Sequence, residues 1–187
     1  MSPAMAANPP AKFSVRRVAV VGAECVGKTS LCQALAQSLP GLWVPEYLRE
    51  FCDRAQRTPL AHEQRDILQM QIELESRRQR QAAELGLAWL CCDSAPIATA
   101  LYSLMLFGYA DLIEPALQHH RHYQATLLLE PDLPWIADGI QRDGPGVREQ
   151  FHRLLTQYLQ EQGIPFHRVS GRDQDRVALA IRALDLT

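Results

Sequence analysis

One stretch, GAECVGKT at 22–29, constrains this chain more than any other feature of it. It satisfies G-x-x-x-x-G-K-[ST] at every specified position, and it stands where that pattern must stand, between a strand and a helix. Ahead of it, RRVAVVG at 16–22 is a short β-branched apolar run ended by glycine. Such a run is expected of a strand buried on both faces. Behind it, Leu31, Leu35 and Leu39 recur every fourth residue as far as Pro40, giving a helix with one apolar stripe. A turn of this kind points successive main-chain N–H groups inward, and the following helix adds its positive end, so the product is an anion cradle. Gly22, Ala23, Glu24, Cys25, Val26, Gly27, Lys28, Thr29 and Ser30 are therefore the expected nucleotide-phosphate contacts. Only two of the nineteen basic residues are Lys, and one of them is Lys28. A compact ammonium reaches β- and γ-phosphates as a point charge, whereas Arg brings a planar fork. Thr29 supplies a hydroxyl for Mg²⁺. Cys25 fills space inside the loop.

The rest of the chain repeats the strand–helix alternation. Residues 42–45 read as a second short strand with Glu46 at its carboxyl end. Residues 60–85 read as a long, half-exposed helix, and 87–93 (LAWLCCD) as a buried strand ended by Asp93. Cys91 and Cys92 fall within that strand as packing residues. Helical sequence runs on to Gly108, with a shorter piece at 112–119. Strands are expected at 125–129 and 166–170, and helices at 148–162 and 172–184. Alternating strands and helices imply right-handed crossovers and a parallel five-stranded sheet covered on both sides, an α/β three-layer architecture. With 187 residues there is room for one such domain, at 15–187, preceded by a flexible tail at 1–14.

Composition removes several classes of function. A net charge of −2 gives no field for holding nucleic acid or an anionic membrane surface. The most apolar run, 95–107, is shorter than the roughly 18 residues that span a bilayer. Five cysteines without C-x-x-C spacing suit a reducing, cytoplasmic setting. His119, His120 and His122 lack an acid or Cys to complete a tetrahedral set, so they read as an exposed helix end. Arg77, Arg78 and Arg80 read as a solvated helix face.

The phosphate loop alone does not choose among switches, motors and kinases. A guanine-reading switch needs N-K-x-D, and the only Asn is Asn8. A motor of the AAA type follows its strand-ending Asp with a Glu that polarises water, but here Ser94 follows Asp93. A kinase instead excludes water, and 131–148, punctuated by Pro and Gly, offers a lid carrying Arg142 and Arg148. Kinase is the favoured reading. An ATP-binding regulator or slow ATPase, and a nucleotide-gated interaction module, remain alternatives.

GAECVGKT is joined, in order, by VPEYLREF (44–51), CCDSAP (91–96), PDLPWIADGIQRDG (131–144) and HRVSG (167–171). Together these resemble the ribosylnicotinamide kinase domain of NadR-like proteins and its free-standing P-loop ATP-binding relatives, over nearly everything beyond the tail. The resemblance implies a P-loop kinase fold with strand order 2-3-1-4-5, ATP and Mg²⁺ as cofactors, and transfer of the γ-phosphoryl group to a small nucleoside-type acceptor, nicotinamide riboside first. The E-Y-x-R-E and P-W-x-x-D-G segments discriminate, and they place Glu46, Tyr47, Arg49, Trp135 and Asp138 on the substrate side. There are departures. Ala95 stands where NadR-like chains usually carry a second Asp, and Gln141 where an Arg often follows, with Arg142 next in line.

With that strand order, Asp93 emerges beside Thr29 and holds Mg²⁺ directly or through water, or else caps the next helix. Glu46, one strand further out, faces the acceptor hydroxyl as a binding group or general base, or else is a surface acid paired to Arg49. Arg142, and less so Arg148, would close on the transferred phosphoryl group. Trp135 stacks on a ring or anchors the lid, and Asp138 orders it. Arg172 or Arg176 would cover adenine in the loop after the last strand.

Overall fold

Three stretches of the chain are mostly apolar, and they take the three inner places of the sheet. In the computed structural model, which describes residues 14–136 and 144–185, these are β1 (Arg16–Val21), β3 (Trp89–Asp93) and β4 (Ala125–Leu129). Every residue of β3 and β4, and the last four of β1, is buried. The flanking strands, β2 (Gly41–Val44) and β5 (His167–Val169), are shorter and partly exposed, as edge strands must be. The sheet is parallel throughout, as the strand–helix alternation predicts, with the order β2-β3-β1-β4-β5 that the resemblance implies.

Among the described residues seven α-helices connect and cover it: α1 (Lys28–Ser38), α2 (Tyr47–Ala55), α3 (Gln64–Glu84), α4 (Pro96–Phe107), α5 (Ile113–His120), α6 (Gly144–Glu161) and α7 (Asp173–Asp185). α1 packs on β1, β2 and β3 and against α7, while α4 lies among α3, α5 and α6. Alternation along β3 gives Leu90 and Cys92 to a cluster with Val44 of β2 and Ala82 of α3, and gives Cys91 to the larger core. Both faces are dry, which is why this sheet has no polar alternation. None of the described helices is long and apolar enough to cross a membrane.

Several boundaries shift, among them the start of the long helix, which is Gln64 and not residue 60, and two further shifts have a bearing on the site. Gly41 opens β2 instead of only ending the helix, because β2 and β3 approach so closely there that a Cβ would lie 2.9 Å from the Trp89 carbonyl oxygen. α6 begins at Gly144, four residues before the predicted start, which shortens the lid segment at its far end. The expected tail, apart from its last residue, and the lid residues Asp138 and Arg142 lie outside the described residues.

Register sets the working edge. Val20 pairs with Asp93, and Val44 with Cys92, so β1, β2 and β3 all end on one rim. Strands about 4.8 Å apart then hold the phosphate loop, Asp93 and Glu46 side by side at their carboxyl ends, where open α/β sheets bind ligands.

Candidate active site

The loop between β1 and α1 is closed by Gly27, whose φ of +80° lies in the left-handed region. A Cβ there would also crowd Leu133 at 3.2 Å and the Arg176 guanidinium at 3.3 Å, so glycine is required on two counts. Cys25 takes φ 54° and places Sγ 3.0 Å from the carbonyl oxygen of Ile136, joining the loop to the segment that crosses over it. Pro134 and Ile136 of that segment, with residues 25–30 and Arg49, enclose a cavity of about 530 Å³ directly above the cradle. Lys28 Nζ donates to the Ala23 carbonyl at 2.8 Å, folded back over its own loop.

Asp93 is fully buried at the end of β3, and the Thr29 hydroxyl donates to its Oδ2 at 2.5 Å. Its Oδ1 is buried with no hydrogen-bond partner among the described residues. Burial, and then the charge of Glu46, push the carboxyl up to about 6, against the opposing pull of Lys28 and the Thr29 hydroxyl. A buried oxygen without a donor, next to a hydroxyl and a phosphate cradle, suits a divalent cation. The described residues contain no cluster of three His, Cys, Asp or Glu that would cage a metal. The Thr29 hydroxyl and the Asp93 carboxylate are a donor set that Mg²⁺ can take, since it binds one or two protein oxygens and completes its shell with phosphate and water.

Glu46 sits at the head of α2 with its side chain only 14% exposed, and Arg49 Nε lies 3.7 Å from its Oε2. Both residues, with Glu24, Cys25 and Lys28, line a second cavity of about 110 Å³. Its other walls are Leu48, Thr58, Pro59, Gln64, Ser94, Thr99, Tyr102, Leu106 and Phe107. The Tyr102 ring stacks on Phe151, with centroids 3.6 Å apart and planes 7° from parallel, which fixes one wall of the cavity. Gln64, Thr99, Tyr102 and Phe107 went unrecognised in the sequence because apolar and neutral residues at helical spacing read as core. Ala95 does not reach this cavity. It is fully buried in the main core at the head of α4, while Ser94 and Thr99 supply the wall on either side of it.

Other expected residues are placed elsewhere. Tyr47 is buried, with its hydroxyl accepting from Arg54 Nη2 at 3.3 Å, and it lines neither cavity. Trp135 is half-buried beside Pro134 and Ile136 but does not line the space that they cover. Arg148 is buried in α6 and donates to the Leu133 carbonyl at 2.8 Å, so it braces the start of the segment expected to form a lid. Arg176 is also buried, with one Nη on the Val26 carbonyl and the other on Asp132, whose second oxygen accepts from the Gly171 N–H at 2.6 Å. It steadies the phosphate loop from beneath. Arg172 is exposed and borders a groove with Gly27, Ser30, Leu133 and Val177, next to the cradle.

The expectation of an exposed histidine end to α5 is wrong for two of the three residues. His119 and His120 are 8% and 4% exposed. His119 Nε2 lies 2.7 Å from Glu75 Oε2, and His120 Nε2 lies 2.9 Å from the Thr126 hydroxyl. A partner from α3, 44 positions away, and one from β4, 6 positions on, satisfy the two rings in the interior.

Comparison with known proteins agrees with this geometry. A family model described as AAA domain matches residues 17–176. The trifunctional NAD biosynthesis/regulator protein NadR of Escherichia coli K12 is 27% identical over 171 residues, which cover 87% of this chain and 40% of that protein. The chain thus spans about two fifths of the length of that relative. Crystal structures of NadR protein in complex with NAD and AMP-PNP and in complex with NR superpose with TM-scores of 0.73 and 0.72, at 21% and 22% identity. Each covers 92% of this chain, and 49% and 50% of those chains. Thymidylate kinase from Ehrlichia chaffeensis superposes at 0.63 with 13% identity, over 92% of this chain and 98% of that one. These likenesses establish a P-loop kinase-type fold.

Proposed function

We propose that this chain, which belongs to the AAA domain family, is a MgATP-dependent kinase that phosphorylates the hydroxyl of a small nucleoside-type acceptor, nicotinamide riboside first. The observation that carries the reading is that Lys28 of the phosphate cradle and Glu46 of the β2 rim share one cavity with an aromatic wall. A motor of the AAA type follows its strand-ending acid with a Glu that polarises water, whereas here Ser94 follows Asp93. A planar ring fits against Tyr102, while Gln64 and Thr99 are available for its polar substituents. NadR supports nicotinamide riboside as the first acceptor, since one of its structures is a complex with NR.

In this reading the loop amides and Lys28 hold the β- and γ-phosphates, and Lys28 exchanges the Ala23 carbonyl for phosphate oxygen. Thr29 and Asp93 would hold Mg²⁺, which when bound neutralises charge on the phosphate oxygens. Glu46 accepts the proton of the acceptor hydroxyl as its oxygen bonds to the γ-phosphorus and the bond to the β-phosphate oxygen breaks. Arg49 flanks both cavities and meets the transferred group from the side of α2. Arg142 is assigned to the same charge from the sequence. Arg172, exposed on the groove beside the cradle, would cover adenine.

The test is ADP formation by purified protein with MgATP and a panel of ribosides, with mass spectrometry of the product. Turnover should rise at least tenfold with nicotinamide riboside, and Lys28→Ala should remove at least ~100-fold of it. ADP release indifferent to every riboside would replace the kinase with a slow ATPase or regulator.

A further inference from the structure

Glu46 belongs neither to β2 nor to α2. It is the residue before the first turn of α2, and a carboxylate at such a junction is only as well placed as its main chain. The short side chains of Asp, Asn, Ser or Thr would fold back here to cap the helix; the longer Glu46 side chain makes no capping bond. A different residue takes up the slack. Gln71, in the middle of α3 and 2% exposed, accepts the Tyr47 N–H on Oε1 at 2.8 Å, and its Nε2 faces the Pro45 carbonyl at 3.5 Å. One side chain thus spans the main chain on both sides of Glu46 and leaves the carboxylate for the cavity.

A buried amide does this only if its two ends are not exchanged. Glu75, one turn further along α3, puts Oε1 3.4 Å from Gln71 Nε2, and a carboxylate tolerates only the NH₂ end there. Glu75 is itself immobilised. It is fully buried, its oxygens receive the Tyr123 hydroxyl at 2.8 and 2.7 Å, and His119 Nε2 meets Oε2 at 2.7 Å. We propose that Gln71 is a positioning residue for Glu46, and that Glu75, pinned by His119 and Tyr123, fixes the sense of the Gln71 amide. The chain of contacts runs from the end of α5 through α3 to the rim where the acceptor would sit. The inference rests on the acceptor-side role of Glu46 proposed above.

Two readouts test it, one of them independent of turnover. In Gln71→Met, hydrogen exchange at the Tyr47 amide, followed by NMR, should accelerate at least tenfold while amides of β1 keep their rates. Glu75→Gln should accelerate it less, and serves as the second variant if Gln71→Met folds poorly. With MgATP and nicotinamide riboside, Gln71→Met should lower kcat at least tenfold, leave KM for MgATP within twofold, and add nothing to the loss in Glu46→Gln. Unchanged exchange at Tyr47, or losses that multiply in the double variant, would overturn the assignment, as would full activity in Glu46→Gln. Failure of the kinase reading shows separately, as wild-type protein with no riboside-dependent turnover, and the exchange arm still decides whether Gln71 holds the junction.

Discussion

Asp93 and Glu75 are both fully buried carboxylates, yet their surroundings treat them in opposite ways. Glu75 has every oxygen engaged, by Tyr123, His119 and the Gln71 amide. Asp93 has one hydroxyl on Oδ2 and nothing among the described residues on Oδ1. Leaving a buried polar atom unmatched costs free energy that a merely structural role does not return. The contrast separates an acid that finishes the fold from an acid kept incomplete for a ligand. It accords with the proposed roles, in which Glu75 supports the site from a distance and Asp93 sits in it.

The sharpest way to break this contrast is Asp93→Asn, which keeps the shape and removes the charge. MgATP-dependent turnover with nicotinamide riboside should fall by ~100-fold or more, because the cation loses its charged protein ligand. Thermal stability at pH 7 should hold or rise, since an ion no longer has to be desolvated. A calorimetric scan showing a large loss of Tm together with surviving turnover would make Asp93 a second Glu75.

How much of this pair could be read from the sequence depends on how far apart the partners lie. Thr29 and Asp93 are 64 positions apart, but each closes a recognisable unit, a phosphate loop and an acid-ended apolar strand. Once the strand order puts β3 beside β1, they must meet. His119 and Glu75 are 44 positions apart, and neither marks a unit. A Glu on a long charged helix and a His at a helix end both read as solvated, and only the packing of α3, α4 and α5 buries them. The cavity proposed for the acceptor is hidden for the same reason: Gln64, Thr99 and Tyr102 carry no local pattern and acquire meaning only when their helices converge. Family membership does not supply it either, since the AAA domain match fixes the loop and the sheet and leaves open what stands across from Lys28.

For Glu75 the expected signature is inverted. Glu75→Ala strands His119 and the Tyr123 hydroxyl in the core, and removing one partner of such a set costs about 3 kcal/mol. For a chain of this size that is roughly 6–12 °C in Tm. The dissociation constant for MgATP, measured by calorimetry on the folded fraction, should stay within twofold, because the loop and Asp93 are untouched. Weakened nucleotide binding at unchanged Tm would show that Glu75 acts on the phosphate side after all.

The smallest effect is also the most discriminating, because two buried groups titrate in the same window with opposite signs. Asp93 is raised to about 6 by burial, so between roughly pH 6 and 4 the folded state binds its proton more readily than the unfolded chain does. Its contribution to stability therefore grows as the solution is acidified. His120 is lowered to about 4, by burial and then by the neighbouring His119, so from about pH 6.5 downward the unfolded chain takes up the proton first. Its contribution is lost over that range. In wild-type protein free of magnesium and nucleotide the two trends oppose each other. Asp93→Asn removes the first and leaves the second, so the stability of the variant relative to wild type should decline by about 2 kcal/mol between pH 6.5 and 4.5. His152, whose pKa is also lowered by burial, is present in both proteins and cancels in the difference. Denaturant midpoints measured in parallel across that range provide the check. Parallel curves would mean that Asp93 titrates as an ordinary carboxylate and that its vacant oxygen is not held out of water.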